Sequence, residues 1–373
     1  MPPGQPGDRG QPSSDDTAFL RATITTDTKL TSDLTDCPNN GLVIGADNII
    51  LDLNGHTIDG DGTEFTECPP DEPCDIGIID VDHRGVTIKD GSVEEFVIGV
   101  IVAAATDSRL TRLIVSESSL FGLFIVNSSA VQLDRTTASA NGLATDQAGI
   151  VVFDSHDLQI ERNTVSGNGD IGMFMIGVDT SRVARNTLSG NPEAGIILEG
   201  SGNDLNENRA IDSQDGLIVA GNDNTIARNQ LTGAVCSDGC GYGVAIEGGR
   251  NNLAERNIVV GFHQAGIRVS SFEAEGGAPT GHTIISRNII RDADVDGVLV
   301  ESTAVDTLLE RNIATGAGDD GIDVRNAATT LSRNLALDNA DLGIEAVPGV
   351  TDGGGDRANA NGNAAQCTNV ACE

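Results

Sequence analysis

Apolar and polar residues alternate along most of the chain, and the alternation restarts after a glycine at regular intervals. In Gly195-Ile-Ile-Leu-Glu199, Ile196 and Leu198 are predicted to face a core. Alternation with a period of two is typical of short β-strands. The shortest interval between marker glycines, Gly195 to Gly216, is 21 residues, and the longest, Gly266 to Gly297, is 31. The twelve markers are Gly77, Gly99, Gly122, Gly149, Gly172, Gly195, Gly216, Gly243, Gly266, Gly297, Gly321 and Gly343.

A second marker runs in parallel with the first: an apolar residue, two or three positions, and then an asparagine. Most copies read Arg-Asn, as in Ile160-Glu-Arg-Asn163. An asparagine at one place in every turn would stack on its neighbours and bond the backbone of the bends, as asparagine ladders do in stacked parallel strands. The eight copies are Asn163, Asn186, Asn208, Asn229, Asn257, Asn288, Asn312 and Asn334.

A period near 22 residues with two or three short strands per unit predicts a coiled parallel sheet. Leucine-rich repeats share this period but need a leucine-rich consensus that is absent, and helical repeats need units of about 33–45 residues. We therefore predict an all-β chain that forms a single solenoid of about twelve coils. The longer coils are predicted to carry surface loops. These loops lie near Ala140–Gln147, at Cys236–Cys240 and at Phe272–Gly281.

The composition suits a core of small aliphatic residues, since the 373 residues include no Trp, one Tyr and nine Phe. No apolar run approaches the roughly 18–20 residues that span a bilayer, so membrane insertion is not expected. The net charge of −34 makes nucleic acid a poor partner for the chain as a whole. The acidity indicates either solubility in a saline niche or binding of calcium or another hard cation. No EF-hand or glycine-rich calcium repeat supports the second interpretation.

Seven cysteines suggest an oxidising compartment. Two closely spaced pairs each predict a small disulfide-closed loop, and neither has the His or Cys partners of a metal site. Three N-terminal cysteines allow one bridge and leave one thiol free. Paired cysteines in turns predict a secreted protein, and the Pro- and Gly-rich residues 1–22 are predicted to be a flexible segment. The groups are Cys236 with Cys240, Cys367 with Cys372, and Cys37, Cys68 and Cys74.

Both ends of the chain resemble a known group of proteins. The segment Val43-Ile-Gly-Ala-Asp-Asn-Ile-Ile-Leu-Asp-Leu-Asn-Gly-His-Thr-Ile-Asp-Gly60 resembles the opening coil of right-handed parallel β-helix proteins. The segment from Gly343 to Cys372 is similar to the closing segment of secreted bacterial members. The resemblance covers residues 23–373 and implies a right-handed parallel β-helix with a cap at 23–60 and a disulfide-closed end at 344–373.

The resemblance also implies work on polysaccharides. The group shares its architecture with pectate lyases, polygalacturonases, alginate epimerases and NosD-like carbohydrate-binding repeats, although one fold can host many functions. A metal-binding role like that of NosD-like proteins would need a cluster of His, Met and Cys, which this chain lacks.

Polar side chains replace apolar ones at outward positions in the C-terminal third of the chain. Stacked strands lie about 4.8 Å apart, so carboxylates on neighbouring coils can reach the separations of roughly 5–9 Å that glycoside hydrolysis uses. A lyase would instead use an Arg to stabilise an enolate and a His to take a proton. The predicted catalytic residues are Arg268, Glu301, Asp323, Asp320, His263 and Arg325. The predicted substrate-binding residues are Glu247, Asp296, Asp319 and Glu345.

One acidic segment has its own resemblance. Gly318-Asp-Asp-Gly-Ile322 resembles the Gly-Asp-Asp element of polygalacturonases, and Val295-Asp-Gly-Val298 is loosely similar to their preceding acidic element. The Gly-His-Gly and Arg-Ile-Lys elements of those enzymes are absent, as is the Asp-Pro-His motif of alginate epimerases. The other interpretation is that Asp319, Asp320 and Asp323 are turn residues on an acidic surface.

Two further outward columns are regular. An apolar stripe is predicted to be covered by loops or the N-terminal segment, to be used for self-association or for binding a partner protein, or to bind carbohydrate. A column of arginines would either track an anionic polysaccharide or form surface salt bridges. The stripe includes Ile79, Ile101, Phe124, Val151, Phe174, Ile197, Ile218 and Ala245, and the arginines are Arg162, Arg185, Arg228, Arg256, Arg287, Arg311 and Arg333.

Two functions follow from these patterns. The first is a secreted carbohydrate-active protein that binds an acidic extracellular polysaccharide and cleaves it as a lyase or a hydrolase. The second is a non-catalytic, adhesin-like scaffold that assembles as a homo-oligomer through the apolar stripe. The scarcity of Trp and Tyr, which stack on sugars, favours the second. The confinement of the acidic cluster to the last coils favours the first.

Overall fold

The chain folds as a solenoid of stacked parallel strands. The computed structural model describes residues 22–64, 75–142, 147–234, 241–271 and 280–373, which contain forty strands and no helix. No helix that could cross a membrane therefore occurs in these ranges. Each turn of the solenoid adds one strand, or rung, to each of three sheets. Sheet 1 and sheet 2 meet at one corner, sheet 2 and sheet 3 at the next, and sheet 3 leads back to sheet 1.

Sheet 1 has fourteen strands. They are β1 (Thr23–Ile24), β4 (Leu42–Ile44), β7 (Ile76–Val81), β9 (Ile98–Ala103), β11 (Phe121–Val126), β14 (Ala148–Phe153), β17 (Ile171–Ile176), β20 (Ala194–Glu199), β23 (Asp215–Ala220), β26 (Val244–Glu247), β29 (Ala265–Ser270), β32 (Asp296–Val300), β35 (Ile322–Val324) and β38 (Ile344–Ala346).

Sheet 2 also has fourteen strands. They are β2 (Thr28–Lys29), β5 (Ile50–Asp52), β8 (Thr87–Glu94), β10 (Arg109–Ser116), β12 (Gln132–Asp134), β15 (Gln159–Glu161), β18 (Arg182–Ala184), β21 (Asp204–Asn206), β24 (Thr225–Ala227), β27 (Leu253–Glu255), β30 (Ile284–Ser286), β33 (Leu308–Glu310), β36 (Thr330–Ser332) and β39 (Thr351–Asp352).

Sheet 3 shares the long strands β8 and β10 with sheet 2, because these two continue around the corner. Its other strands are β3 (Leu34–Cys37), β6 (Thr57–Gly60), β13 (Thr137–Ser139), β16 (Thr164–Ser166), β19 (Thr187–Ser189), β22 (Arg209–Ser213), β25 (Gln230–Gly233), β28 (Ile258–Val260), β31 (Ile289–Arg291), β34 (Ile313–Thr315), β37 (Leu335–Leu337) and β40 (Arg357–Asn359).

The twelve marker glycines all lie in sheet 1 or directly before one of its strands, so the repeat was read in the correct phase. Sheet 1 has fourteen rungs where about twelve coils were predicted, because Gly41, which directly precedes β4 and lies opposite Gly77, was not counted as a marker and β1 has no marker glycine. Close packing along the stack requires the glycine. A Cβ built on Gly122 would lie 2.6 Å from the carbonyl oxygen of Gly149 on the next rung.

The predicted asparagine ladder is present between sheet 2 and sheet 3. Asn229, for example, donates from Nδ2 to Asn257 Oδ1 at 3.0 Å and to the Leu205 carbonyl at 3.0 Å. Its own Oδ1 accepts the Asn208 backbone N–H at 2.9 Å. All eight predicted members are buried, and the ladder ends on Asp356. Shorter ladders that the sequence analysis missed run through Asn141, Asn168 and Asn191, and through Asn203, Asn224 and Asn252.

The core is one aliphatic layer repeated from rung to rung. Ile196 and Leu198 are buried, as predicted, and the intervening Ile197 is half-buried on the outer surface. The two largest fully buried side chains are Phe96 and Phe262. Each fully buried Leu or Ile contributes roughly 1.5–3 kcal/mol, so a long stack of small side chains is sufficient without Trp.

The two ends differ in how their cysteines are used. Cys367 and Cys372 form a disulfide, and both lie in bridges to the last rungs, Cys367 to Ile344 and Cys372 to Asp356. Cys37 is a free, buried thiol, and burial raises its pKa to about 12. The predicted Cys236–Cys240 loop, Cys68, Cys74, residues 1–21 and most of Phe272–Gly281 lie outside the described residues.

The apolar stripe on the outer surface of sheet 1 is less exposed than the sequence suggested. Phe124 and Phe174 are half-buried and Val151 is fully buried, because neighbouring side chains on this surface cover one another. Phe124 packs edge-on against Phe153 at 5.7 Å between ring centroids, and Phe153 against Phe174 at 5.8 Å. The stripe is therefore a second, thinner hydrophobic layer outside the sheet.

Candidate functional site

The outer surface of sheet 1 changes from apolar to polar over its last five rungs, β26 to β38. The register stacks Ala245 beside Arg268, Arg268 beside Leu299, and Leu299 beside Asp323. Asp323 in turn pairs with Glu345. Alternate residues of a strand share a face, so these side chains form one outward column. The structure thus brings three of the predicted residues, Arg268, Asp323 and Glu345, into line.

A cleft of about 420 Å³ opens beside this column. Arg268 lies between two carboxylates in the cleft, with Nη1 3.2 Å from Glu247 Oε1 and Nε 3.6 Å from Glu301 Oε1. Burial raises the pKa of Glu247, and the positive charge of Arg268 opposes that rise. The lining combines two carboxylates, one guanidinium and four hydroxyls: Glu247, Glu301, Arg268, Ser270, Ser271, Ser302 and Thr303.

Tyr242 packs against the guanidinium of Arg268. Cζ of Arg268 lies 4.9 Å from the ring centroid, which is a cation–π distance. The Tyr242 hydroxyl donates to the side chain of Gln264, and its backbone N–H donates to Asp215. Burial raises the pKa of Asp215 to about 6. These bonds fix the ring, and the ring fixes Arg268. Neither Tyr242 nor the four hydroxyls of the cleft were predicted from the sequence.

Arg325 follows β35 and connects carboxylates from neighbouring rungs. Its Nε lies 2.6 Å from Asp323, its Nη1 3.5 Å from Glu301 Oε2, and its Nη2 3.9 Å from Asp296. Asp323 is buried, and burial raises its pKa although Arg325 acts in the opposite direction. Because Arg268 and Arg325 contact different oxygens of Glu301, the Glu301 carboxylate is held in one orientation between two guanidinium groups.

Asp296, Asp319 and Asp320 form a separate acidic group whose carboxylate oxygens lie within 4.8 Å of one another. Burial raises the pKa of Asp296 to about 7 and that of Asp320 to about 8, and neighbouring carboxylates add to both shifts. Asp320 also accepts the Leu342 backbone N–H at 2.8 Å, which stabilises the turn. Carboxylate oxygens are the ligands of hard cations, so these are the residues that would hold one.

The structure does not place His263 in the cleft. Its Nδ1 contacts the carboxylate of Asp294, and its Nε2 lies 3.1 Å from the carbonyl oxygen of Ala234. Both ring nitrogens therefore face acceptors away from Arg268. His263 is only five residues from Arg268 in the sequence, but it belongs to the corner that precedes β29 and not to the strand itself.

Family models and solved structures place the chain in one structural group. A family model described as "Periplasmic copper-binding protein (NosD)" matches residues 54–237, and one described as "Right handed beta helix region" matches residues 171–339. Among the curated proteins, none matches the chain.

Three solved structures illustrate the likeness. The A-module of mannuronan C-5 epimerase AlgE4 from Azotobacter vinelandii is 15% identical, with a TM-score of 0.63 over 91% of this chain and 95% of that one. The Dettilon tailspike protein is 15% identical, with a TM-score of 0.54 over 87% of this chain and 61% of that one. The catalytic domain of a GH87 alpha-1,3-glucanase is 14% identical, with a TM-score of 0.52 over 90% and 70%.

At this level of identity the solved structures define the fold and leave the activity open. Because the AlgE4 A-module superposes on most of the chain and the family model for the right-handed β-helix region matches residues 171–339, the predicted fold class is confirmed. The chain is a right-handed parallel β-helix repeat protein.

Proposed function

We propose that this chain binds a polysaccharide in the Arg268 cleft and hydrolyses a glycosidic bond there. The observation that carries the proposal is the composition of the cleft, in which four hydroxyl side chains surround a Glu–Arg–Glu contact on three neighbouring rungs. Sugars present hydroxyl groups that both donate and accept hydrogen bonds, and hydroxyl, carboxylate and guanidinium groups match both roles. Several solved β-helix structures are named as proteins that act on glycans, which supports the same class of ligand.

The charge of the cleft favours an uncharged stretch of polysaccharide over the acidic polymer that the sequence suggested. Arg268 is already engaged by Glu247 and Glu301, and Arg325 by Asp323 and Glu301. No positive charge is left over in this group for a sugar carboxylate, which the surplus of acidic groups would repel.

Glu247 and Glu301 suit the two roles of an inverting glycosidase. Glu247 ends β26 and pairs with Ser270, and Glu301 follows the end of β32, one rung beyond Ser270. Stacked rungs are about 4.8 Å apart, so Cα atoms two rungs apart are separated by roughly 10 Å, and the two carboxyl groups lie closer together than that because both contact Arg268. Inverting enzymes separate their carboxyl groups by about 6.5–9.5 Å to admit a water molecule. Burial favours the protonated form of Glu247, the proposed acid, and Glu301 is the proposed base.

Two other activities receive less support. A lyase or epimerase needs a proton acceptor beside a sugar carboxylate, and the His263 ring nitrogens are occupied elsewhere. Copper favours imidazole and sulfur ligands, whereas the one group of three or more candidate metal ligands in the described ranges is made of aspartates.

The name of the matching family model, a periplasmic protein, supports a location outside the cytoplasm, and we include that location in the proposal.

A panel of neutral and uronate polysaccharides tests the proposed activity. Each polymer is incubated with the protein, and new reducing ends and the absorbance of unsaturated sugars are measured. We expect new reducing ends from a neutral polymer without unsaturated products. Unsaturated products from a uronate would indicate a lyase and contradict the proposal. A different outcome is that no polymer is cleaved and that the protein forms an oligomer which Phe124→Ser dissociates. Assembly through the apolar stripe would then replace hydrolysis as the function.

A further inference from the structure

A column of arginines follows the corner between sheet 2 and sheet 3, on a different side of the solenoid from the cleft. The structure adds Arg112 and Arg135 to the seven arginines seen in the sequence. The corner residues bond from rung to rung through their backbone, as in Arg256 N–H to Ser286 O at 3.1 Å and Arg287 N–H to Glu310 O at 3.0 Å. Ten successive rungs carry Arg112, Arg135, Arg162, Arg185, Glu207, Arg228, Arg256, Arg287, Arg311 and Arg333 at this corner.

The backbone of this corner does not by itself select arginine. Every one of the ten residues has a positive φ, as in Arg256 at 55° and Arg311 at 58°. This left-handed conformation is cheapest for Gly, Asn and Asp. The other corners use those residues often, for example Asp154, Gly177 and Asn251. Nine arginines in ten rungs therefore reflect a requirement for the side chain, because the turn alone would favour a smaller residue.

Neighbouring acidic residues neutralise the column only in part. Glu255 is shared by Arg256 at 3.1 Å and Arg287 at 3.9 Å. Glu310 is shared in the same way by Arg311 at 3.2 Å and Arg333 at 3.4 Å. Four arginines on four rungs thus contact two carboxylates, and these four guanidinium side chains are 43–58% exposed. The C-terminal half of the column is locally positive on a chain whose net charge is −34.

The same half of the column is bordered directly by apolar side chains on sheet 3, whereas on sheet 2 the column of Glu255, Ser286 and Glu310 lies between the arginines and an apolar column. Ile258, Ile289, Ile313 and Leu335 stack outward on sheet 3, and Leu253, Ile284 and Leu308 stack outward on sheet 2. At the C-terminal end the surface forms a cleft of about 500 Å³. Arg311, Arg333, Arg357, Ile313 and Leu335 contribute to its lining. The surface therefore offers a row of cations with an apolar margin on sheet 3.

The spacing of the cations identifies the kind of partner. Successive rungs are about 4.8 Å apart, which is close to the length of one sugar unit in an extended polysaccharide, so carboxylates that recur on one face of the polymer at every second or third sugar stay in register with every second or third rung. Acidic side chains on one face of an extended peptide would repeat at roughly 6.6 Å and fall out of register. The phosphates along one strand of duplex nucleic acid repeat at about 3.4 Å and would also fall out of register. The apolar margin on sheet 3 suits the C–H faces of sugar rings.

We propose that the arginine column is a binding site for a linear anionic polysaccharide that carries one carboxylate per sugar. The polymer lies along the solenoid axis, and the carboxylates on the face that it turns to the protein contact members of the group Arg256, Arg287, Arg311 and Arg333. This site is independent of the Arg268 cleft, so a protein without hydrolytic activity would still bind the polymer, and a Glu301→Gln variant binds it as the wild type does.

Binding to polygalacturonate and to its methyl ester tests the site, because the two polymers differ in charge but not in backbone. We expect the wild type to bind the free acid at least tenfold more tightly, with an affinity that falls as salt rises. Arg287→Gln with Arg311→Gln should weaken binding about tenfold, from the loss of two exposed ion pairs. Arg84→Gln with Arg250→Gln, which removes the same charge at the corner between sheets 1 and 2, should leave the affinity within twofold. Arg287→Lys with Arg311→Lys should retain most of it.

Three results would overturn the inference. The first is equal binding of the acid and its ester. The second is an equal loss of affinity in the two Gln pairs, which would show a general effect of charge. The third is tighter binding of a single-stranded oligonucleotide than of polygalacturonate, which would assign the column to another class of polymer. Circular dichroism and thermal unfolding of each variant establish that it is folded before its affinity is compared.

Discussion

Individual buried polar residues affect the stability of this solenoid strongly, according to whether their side chains are fully hydrogen-bonded. The ladder asparagine Asn229 uses both donor positions of its amide, and its oxygen accepts from the backbone and the side chain of Asn208. Every donor and acceptor of the Asn229 side-chain amide is therefore hydrogen-bonded. Asp75 is the opposite case. It is buried, and its Oδ1 has no hydrogen-bond partner in the described ranges, while Oδ2 accepts the Val97 N–H at 3.2 Å.

Asp75 predicts a specific dependence of stability on pH. Burial, with a smaller effect of Asp61, raises the pKa of Asp75 from 3.8 to about 7. The folded state therefore holds a proton that the unfolded state releases, so this residue costs stability as pH rises from about 4 to about 7. Asp75→Asn keeps the shape and the left-handed backbone. It should raise the free energy of unfolding at pH 8 by on the order of 3 kcal/mol, with little change at pH 4.

Urea unfolding at several pH values measures this effect. Asp82→Asn is the matched control, since Asp82 is exposed and has the same left-handed conformation, with φ of 60° against 58° for Asp75. The control should change stability equally at both pH values. An Asp75→Asn variant that loses stability at pH 8 would mean that the ionised carboxylate has a partner there.

Residue identity also determined which parts of the site could be predicted. Carboxylates and arginines at outward positions are rare enough to be noticed, so Glu247, Arg268 and Glu301 were identified correctly as neighbours. Serine and threonine are common throughout the chain, and Ser302 and Thr303 enter the cleft from a corner whose path the repeat does not specify. His263 was assigned by its closeness in sequence, although the same kind of corner directs its ring towards Asp294.

At the scale of the strands, the glycine column determines how closely the rungs of sheet 1 approach. A Cβ on Gly172 would lie 2.6 Å from the carbonyl oxygen of Gly195 and 2.9 Å from Asn191 Nδ2. Neither neighbour can move without breaking a ladder bond, since Asn191 Oδ1 accepts from Asn168 at 3.0 Å. The regular spacing of the strands and the internal ladders therefore depend on one another.

Gly172→Ala should destabilise the rungs around it. We expect a loss of about 2 kcal/mol from overpacking. Because each rung of a solenoid contacts only its neighbours, faster amide hydrogen exchange should be confined to β14, β17 and β20. Gly281→Ala is the control, since its Cβ would meet nothing closer than Val305 Cγ2 at 3.4 Å. Exchange that accelerates equally in β35 would contradict the local account and indicate cooperative unfolding of the whole solenoid.

The strands themselves were largely predictable, because alternation and period are properties of the local sequence. The marker glycines located twelve of the fourteen rungs of sheet 1, and the remaining two, β1 and β4, lie within the predicted cap at 23–60, where Gly41 before β4 was not counted as a marker. The exposure of the apolar stripe could not be read in the same way. It depends on contacts between rungs, such as Phe124 against Phe153, that bring together residues distant in the chain.

At the scale of the whole molecule, the core is the same in every coil, whereas the chemical character of the surface differs between the sides of the solenoid. Sheet 1 carries an apolar layer in its N-terminal half and the Arg268 cleft towards its C-terminal end. The corner between sheets 2 and 3 carries the arginine column. The chain has a net charge of −34 and only 22 basic residues, and nine of these lie in that column. Positive charge is therefore concentrated at one corner of an otherwise acidic molecule. The scarcity of Trp and Tyr reflects the core and does not exclude a sugar-binding surface built from hydroxyls.

The most direct test of the central claim is the hydrolytic rate of Glu301→Gln on the polymer identified by the panel. Glu199→Gln is the matched control, because Glu199 ends β20 as Glu247 ends β26, but lies outside the cleft. If Glu301 is the base, its loss should lower kcat by about 10²–10⁴-fold, with little change in KM, while Glu199→Gln retains the wild-type rate. A Glu301→Gln variant that cleaves as fast as the wild type would show that the cleft is not the catalytic site.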